Sequence, residues 1–235
     1  MKHTTIIVAA GLALAATLPA APTSALSART FVSPTGSDAN NCSLATPCRF
    51  FQAAFAKTNA GGEIAVLGTA GYNNGATFTI NKAISIVNPG GFEAGIVVPS
   101  GGTGIVISAG VNDAVNLRGL TIEGGGVGTV GIRFNTGKSL TIENCAIQHV
   151  TGDGIDFLPN AASNLSISNT VMSNNGGDGV GIEPSGSAAV TAVFDRVQAK
   201  NNGASGIVSV GANSTGTFIG TVYDSVATGN GNVGL

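Results

Sequence analysis

Arg133, His149, Asp153, Asp156 and Asp178 are the residues of this sequence whose types and spacing could carry chemistry. Asp153 stands in GDGIDF and Asp178 in GDGVGI, each directly ahead of a glycine. Two carboxylates held side by side can take a hard cation such as Ca²⁺, which prefers oxygen ligands. They can also divide acid and base roles in glycoside hydrolysis, at ~5–5.5 Å for retention or ~6.5–9.5 Å for inversion. A third reading is turn chemistry, in which an aspartate before a glycine bonds local backbone N–H groups. His149 titrates in the range useful for a general acid or base. The one other histidine is His3, and a lone histidine is poor evidence for a zinc site.

A repeat must position these residues. The stretch Leu140–Ser209 reads LTIENCAIQHVTGDGIDFLP, LSISNTVMSNNGGDGVGIEP and TAVFDRVQAKNNGASGIVSV. Each copy is a short alternating apolar segment, a turn rich in Asn and Gly, then Gly and a β-branched residue in most copies. The anchoring glycines fall at Gly131, Gly154, Gly179, Gly206 and Gly234, at intervals of 23, 25, 27 and 28 residues. A period this short with strand alternation is the signature of a solenoid. Some 25 residues hold three short strands and three turns at ~3.3 Å per strand residue, and successive coils pair in parallel ~4.8 Å apart.

Equivalent positions then stack. The expected inward ladders are Leu120, Cys145, Thr170, Val197, Val226; Ile122, Ile147, Met172, Ala199, Thr228; and Ile132, Ile155, Val180, Ile207. Asp153 and Asp178 become neighbours on adjacent coils. At ~5 Å they repel by roughly 3 kcal/mol at an effective dielectric of ~20, so solvent, backbone N–H groups or a cation must relieve them. Asp156 follows the inward Ile155 and is expected to face solvent, paired with Arg133 on the preceding coil. Arg118 and Glu143 form a similar cross-strand pair. Such pairs give the basic residues structural partners and leave no isolated base facing the carboxylates. His149 aligns with Asn174, Asn201 and Asn230, and is expected to replace an Asn in a hydrogen-bonded ladder, with the acid–base role as the alternative.

Composition agrees with strands and tight turns: 36 glycines, no Trp, 9% charged residues. Net charge is −2 without a basic run, which excludes a duplex nucleic-acid face. Residues 1–28 read as a secretory signal peptide, with Lys2 and His3 ahead of an apolar run from Ile6 to Leu18 and small residues at the cleavage region. No later run is long enough to span a bilayer. The mature chain is therefore expected outside the cytoplasm: secreted, periplasmic or at the cell surface.

Residues 29–60 are expected to cap the first coil, with a strand at Thr30–Ser33 and an amphipathic helix at Phe50–Lys57. Cys42 and Cys48, in an exported loop, are expected to form a disulfide, and Cys145 in its inward ladder to be a buried free thiol. Residues 61–235 form the coils. The chain stops just after the glycine that opens another strand, so a fragment of a longer protein is expected.

The run RTFVSPTGSDANNCSLATPCRFFQAAFAKTNAGGEIAVL, then INKAISIV, then the LTIENCAI…GDGIDF repeats, resembles exported bacterial right-handed parallel β-helix proteins of the pectate-lyase-like group. The resemblance implies an all-β solenoid with a short N-terminal capping helix. It spans activities from lyases and glycosidases to adhesins, and fold does not choose among them. Lyases of this fold class use Ca²⁺ or another neutraliser with an Arg or Lys base, and that constellation is not evident. The paired His and Asp motifs of some epimerases and glycosidases are absent. The leading expectation is an extracellular polysaccharide-binding or surface-structural element without a resident cofactor, Ca²⁺ at Asp153 and Asp178 being the possible exception. The alternative is a lyase or hydrolase acting on acidic glycans through Asp153, Asp156, Asp178, Arg133 or His149.

Overall fold

The computed structural model describes Met1, residues 26–211 and residues 214–235. The expected apolar leader lies almost wholly outside them, although Ser27 and Ala28 already belong to the first strand. The chain winds into three parallel sheets. The first has eight strands, from Ser27–Val32 to Phe218–Tyr223. The second has seven, from Ala70–Gly71 to Val226–Thr228, and the third six, from Phe78–Ile80 to Ile207–Ser209. Each coil visits the first, second and third sheets in turn, as in Ser139–Glu143, Ala146–Gln148 and Ile155–Phe157.

Alternation of apolar and polar residues fixes which face turns inward, because a one-residue slip would expose every core side chain. Ile132, Ile155, Val180 and Ile207 stack as expected. So do Ile122, Ile147, Met172 and Ala199. The last coil differs from expectation by one residue. Ala227, not Thr228, follows Ala199, and Val226 pairs with Gln198 on the outer face. Ser225 is the residue that reaches Val197, its Oγ accepting the Val197 N–H at 3.0 Å. The same corner holds Cys145, whose Sγ accepts the Leu120 N–H at 3.4 Å, and Thr170, whose Oγ1 accepts the Cys145 N–H at 3.3 Å. Cys145 is free and buried, and burial pushes its thiol up to about 11. Aromatic volume is concentrated in the third sheet, where the rings of Phe134 and Phe157 stack at 4.4 Å.

One end of the barrel is closed by the helix Phe51–Lys57, which buries Phe51 and Ala54. Phe51 packs on Tyr72 and Phe78 at 5.2 and 5.9 Å between ring centres. The helix has no side-chain cap of its own. Instead Asp38 Oδ1 accepts the N–H groups of Arg49 and Phe50 just ahead of it, at 2.9 and 3.0 Å. A disulfide joins Cys42 and Cys48, both buried, in the loop leading to the helix.

Candidate functional site

Arg133 and Asp156 stand on strands of the third sheet, and the turn between the second and third sheets positions His149, Asp153 and Asp178. It opens with a left-handed residue: His149, Asn174 and Asn201 have φ of 56°, 56° and 53°, and Gly229 follows at 69°. Asn and Gly suit this region, and a non-Gly residue there bears some strain. These side chains are exposed. The expected ladder of Asn174, Asn201 and Asn230 is therefore not the one that forms. The hydrogen-bonded column lies one residue further on, at Asn175, Asn202 and Asn230, with Val150 at its start. Asn175 and Asn202 are only 2% exposed. Asn202 Oδ1 accepts both the backbone N–H and the side-chain amide of Asn175, at 3.2 and 3.1 Å. Asn230 Oδ1 does the same for Asn202, at 3.0 and 3.0 Å. Each Nδ2 also donates to a strand carbonyl, of Ile147, Met172 or Ala199. No amide in the column is left unpaired, which is what burial demands.

The repeat glycine closes the turn for a steric reason. A Cβ at Gly154 would lie 2.8 Å from the Gly179 carbonyl oxygen and 2.9 Å from Asn175 Nδ2. At Gly179 the same contacts, to Gly206 and Asn202, would be 2.5 and 2.9 Å.

Asp153 and Asp178 do stack on adjacent coils, and backbone N–H groups relieve their charge. The N–H groups are not local ones, as expected from turn chemistry, but those of the following coil. Asp178 N–H donates to Asp153 Oδ1 at 2.7 Å, and Ser205 N–H donates to Asp178 Oδ1. Their Oδ2 atoms converge over Gly181, where a Cβ would meet them at 3.7 and 3.8 Å. Burial pushes the Asp153 carboxyl above its ordinary value; the Asp178 N–H opposes this, and the charges of Asp178, Asp156 and Glu183 reinforce it.

Asp156 departs from expectation. It pairs with Arg133 in register, with Nε–Oδ2 at 2.9 Å, yet its side chain is only 9% exposed against 39% for Arg133. The carboxylate is nearly buried while the guanidinium still meets water, so the pair is only half solvated. The expected Arg118–Glu143 pair is in register but loose, at 3.8 Å. Among the described residues, no three His, Cys, Asp or Glu side chains gather closely enough to hold a metal ion.

An open concavity lies on the other side of the same turn. It is an open groove of about 750 Å³ running across successive coils past Glu123, His149, Asn174 and Asn201. Glu123 was not among the sequence candidates. Its carboxylate takes His149 Nδ1 at 3.0 and 3.1 Å, Gln148 Nε2 at 3.0 Å and the Gly125 N–H at 2.9 Å. Burial raises its pKa, but the bonds from Gly125, His149 and Gln148 together hold it below the usual carboxylate value. The signal for it was register: Glu123 pairs with Gln148, the residue before His149. A second groove of about 290 Å³, along Thr69, Gly71, Val97 and Thr121, reaches the same Glu123. The sequence candidates thus fall on two sides of one turn. His149 faces the groove, while Asp153, Asp156, Asp178 and Arg133 gather around the outer face of the third sheet.

No curated protein matches the sequence. In structure the chain is similar to the crystal structure of pectate lyase Pel9A, with 15% identity and a TM-score of 0.34, over 86% of this chain and 79% of that one. A likeness of that size carries no argument about activity. A family model described as the right-handed β-helix region matches residues 71–223, most of the coils traced above. The chain belongs to the right-handed β-helix family.

Proposed function

We propose that this protein is an exported binding element for polysaccharide, working through the groove beside His149, Asn174 and Asn201. One observation carries the reading: the groove crosses several coils and presents polar side chains that the fold does not use. Among the described residues, the Asn174 and Asn201 amides have no protein partner. The one carboxylate along its wall, Glu123, already accepts from Gly125, Gln148 and His149. Stacked coils repeat such groups every ~4.8 Å, comparable to one sugar unit of an extended glycan. Export rests on the apolar leader in residues 1–28.

The rival reading is an enzyme acting on acidic glycans. A hydrolase needs two carboxylates facing one bond. The groove offers one. Asp153 and Asp178 spend an oxygen each on backbone N–H groups, and Asp156 is held by Arg133.

Calorimetry against a panel of neutral and acidic polysaccharides separates the two, with the same mixtures assayed for unsaturated products and new reducing ends. Binding without either product is expected. In Asn174→Gly/Asn201→Gly, which keeps the left-handed backbone, affinity should fall about tenfold, or 1.4 kcal/mol. Product formation, or no binding to any glycan of the panel, would overturn the proposal.

A further inference from the structure

The sequence contains four Asn-Gly pairs: Asn74-Gly75, Asn175-Gly176, Asn202-Gly203 and Asn230-Gly231. Asn-Gly is the dipeptide most prone to spontaneous deamidation, because glycine leaves the next backbone nitrogen unhindered and mobile. The nitrogen of the glycine attacks the asparagine Cγ. A C–N bond forms, the Cγ–Nδ2 bond breaks, ammonia leaves, and a five-membered succinimide results. Water then opens the ring at either carbonyl to give aspartate or isoaspartate. Water is the one co-reactant, and nothing is oxidised or reduced.

The fold treats these pairs unequally. In the buried column both reacting groups are held. The Gly176 nitrogen donates to the Val150 carbonyl at 2.8 Å, and the Gly203 nitrogen to the Asn175 carbonyl at 2.7 Å. The side-chain oxygens of Asn175 and Asn202 accept N–H groups of the preceding coil, and their Nδ2 atoms donate to carbonyls. Cyclisation would break these bonds together, at asparagines that are only 2% exposed. Asn74 and Gly75 are both exposed. A Cβ at Gly75 would meet nothing within 4 Å, its φ is +80°, and its N–H has no backbone partner among the described residues. The single bond on the Asn74 side chain comes from Gln52 Nε2 to its Oδ1, at 3.2 Å. It draws electrons from Cγ without blocking attack. Next to it, Asn73 ties this turn to Val97 on the wall of the second groove, at 2.6 and 3.0 Å.

We propose that Asn74 is a modification site, converted spontaneously to aspartate and isoaspartate in the folded protein, while Asn175 and Asn202 are protected by their column. Modification adds a negative charge, and in the isoaspartate form one extra backbone methylene, to the turn that Asn73 staples to the groove wall.

The test is peptide mapping of purified protein aged at mildly alkaline pH, with isoaspartate detection. The peptide holding Asn74 should gain the mass of amide-to-acid conversion first. Asn175 and Asn202 should react more than about a hundredfold slower, since they must wait for an opened state that is scarce in a stable domain. In urea the sites should react at comparable rates. Asn74→Gln should abolish the early mass gain. Folded protein in which Asn175 converts as fast as Asn74 would overturn the proposal. So would an Asn74 that stays intact in the folded chain but converts in urea, or an early gain that survives Asn74→Gln.

Discussion

The Asp153 carboxylate accepts the backbone N–H of Asp178, its counterpart one coil on, at 2.7 Å. A bond that could have tied a turn to itself instead ties two coils together. Asp153→Ala leaves that N–H without its acceptor and should cost about 1–2 kcal/mol. Asp153→Asn keeps an acceptor oxygen and removes the charge. Because the folded pKa of Asp153 is raised, the native state keeps a proton that the unfolded chain has released. Its contribution is therefore most favourable below the unfolded carboxyl value of about 3.9 and is lost as pH rises through the folded value. Asp153→Asn should then flatten the loss of stability across the acidic range and cost little at neutral pH. Urea unfolding at a series of pH values decides it, and equal costs for the two substitutions would show that the bond is not what matters.

The amide column gives a second outcome. Asn202→Ala removes the acceptor for two Asn175 donors and the donor to Met172 and Asn230, all buried or half-buried. The expected loss is about 2–4 kcal/mol, from several groups left unsatisfied. Its neighbour Asn201 only has to adopt a left-handed backbone, so Asn201→Gly should stay within about 0.5 kcal/mol. Comparable costs for the two would place the column one residue back.

Arg133 and Asp156 supply a third. Removing Arg133 leaves a nearly buried carboxylate uncompensated. Arg133→Ala should cost ~2–3 kcal/mol, below the 3–5 of a fully enclosed pair, because the guanidinium still meets water. Arg133→Met combined with Asp156→Leu should recover much of that loss. A double variant no better than Arg133→Ala alone would argue against the buried charge as the cause.

How far the sequence could be read depended on what its residues had to distinguish. Coil register from Leu120 to Ile207 was legible because a slip would turn every Ile and Val outward. The position of the amide column was not. Asn174-Asn175 and Asn201-Asn202 are doublets, and either member could turn inward. Asn230 misled further, because glycine at 229 takes the left-handed role that asparagine plays in earlier coils. That substitution hides a one-residue offset, the same one that displaced Val226 and Thr228. The burial of Asp156 was invisible because strand alternation reports which face a side chain is on, and not how far its neighbours enclose it. Glu123 escaped notice because its turn, through Gly124, Gly125 and Gly126, departs from the repeat.

The two clasps of the turn point in opposite senses. Asp153 holds an N–H of the coil that follows, and Asn175 on that following coil holds the N–H of Val150 on the one before. A coil with both residues therefore satisfies the neighbour on either side, and another coil of the same kind fits between any two of them. In-frame copying of the 27-residue unit from Asn175 to Asn201 would lengthen the molecule by ~4.8 Å and orphan no polar group in the turn. Growth by tandem duplication is thus open to this gene at little structural cost, and each added coil would extend the groove by one more rung.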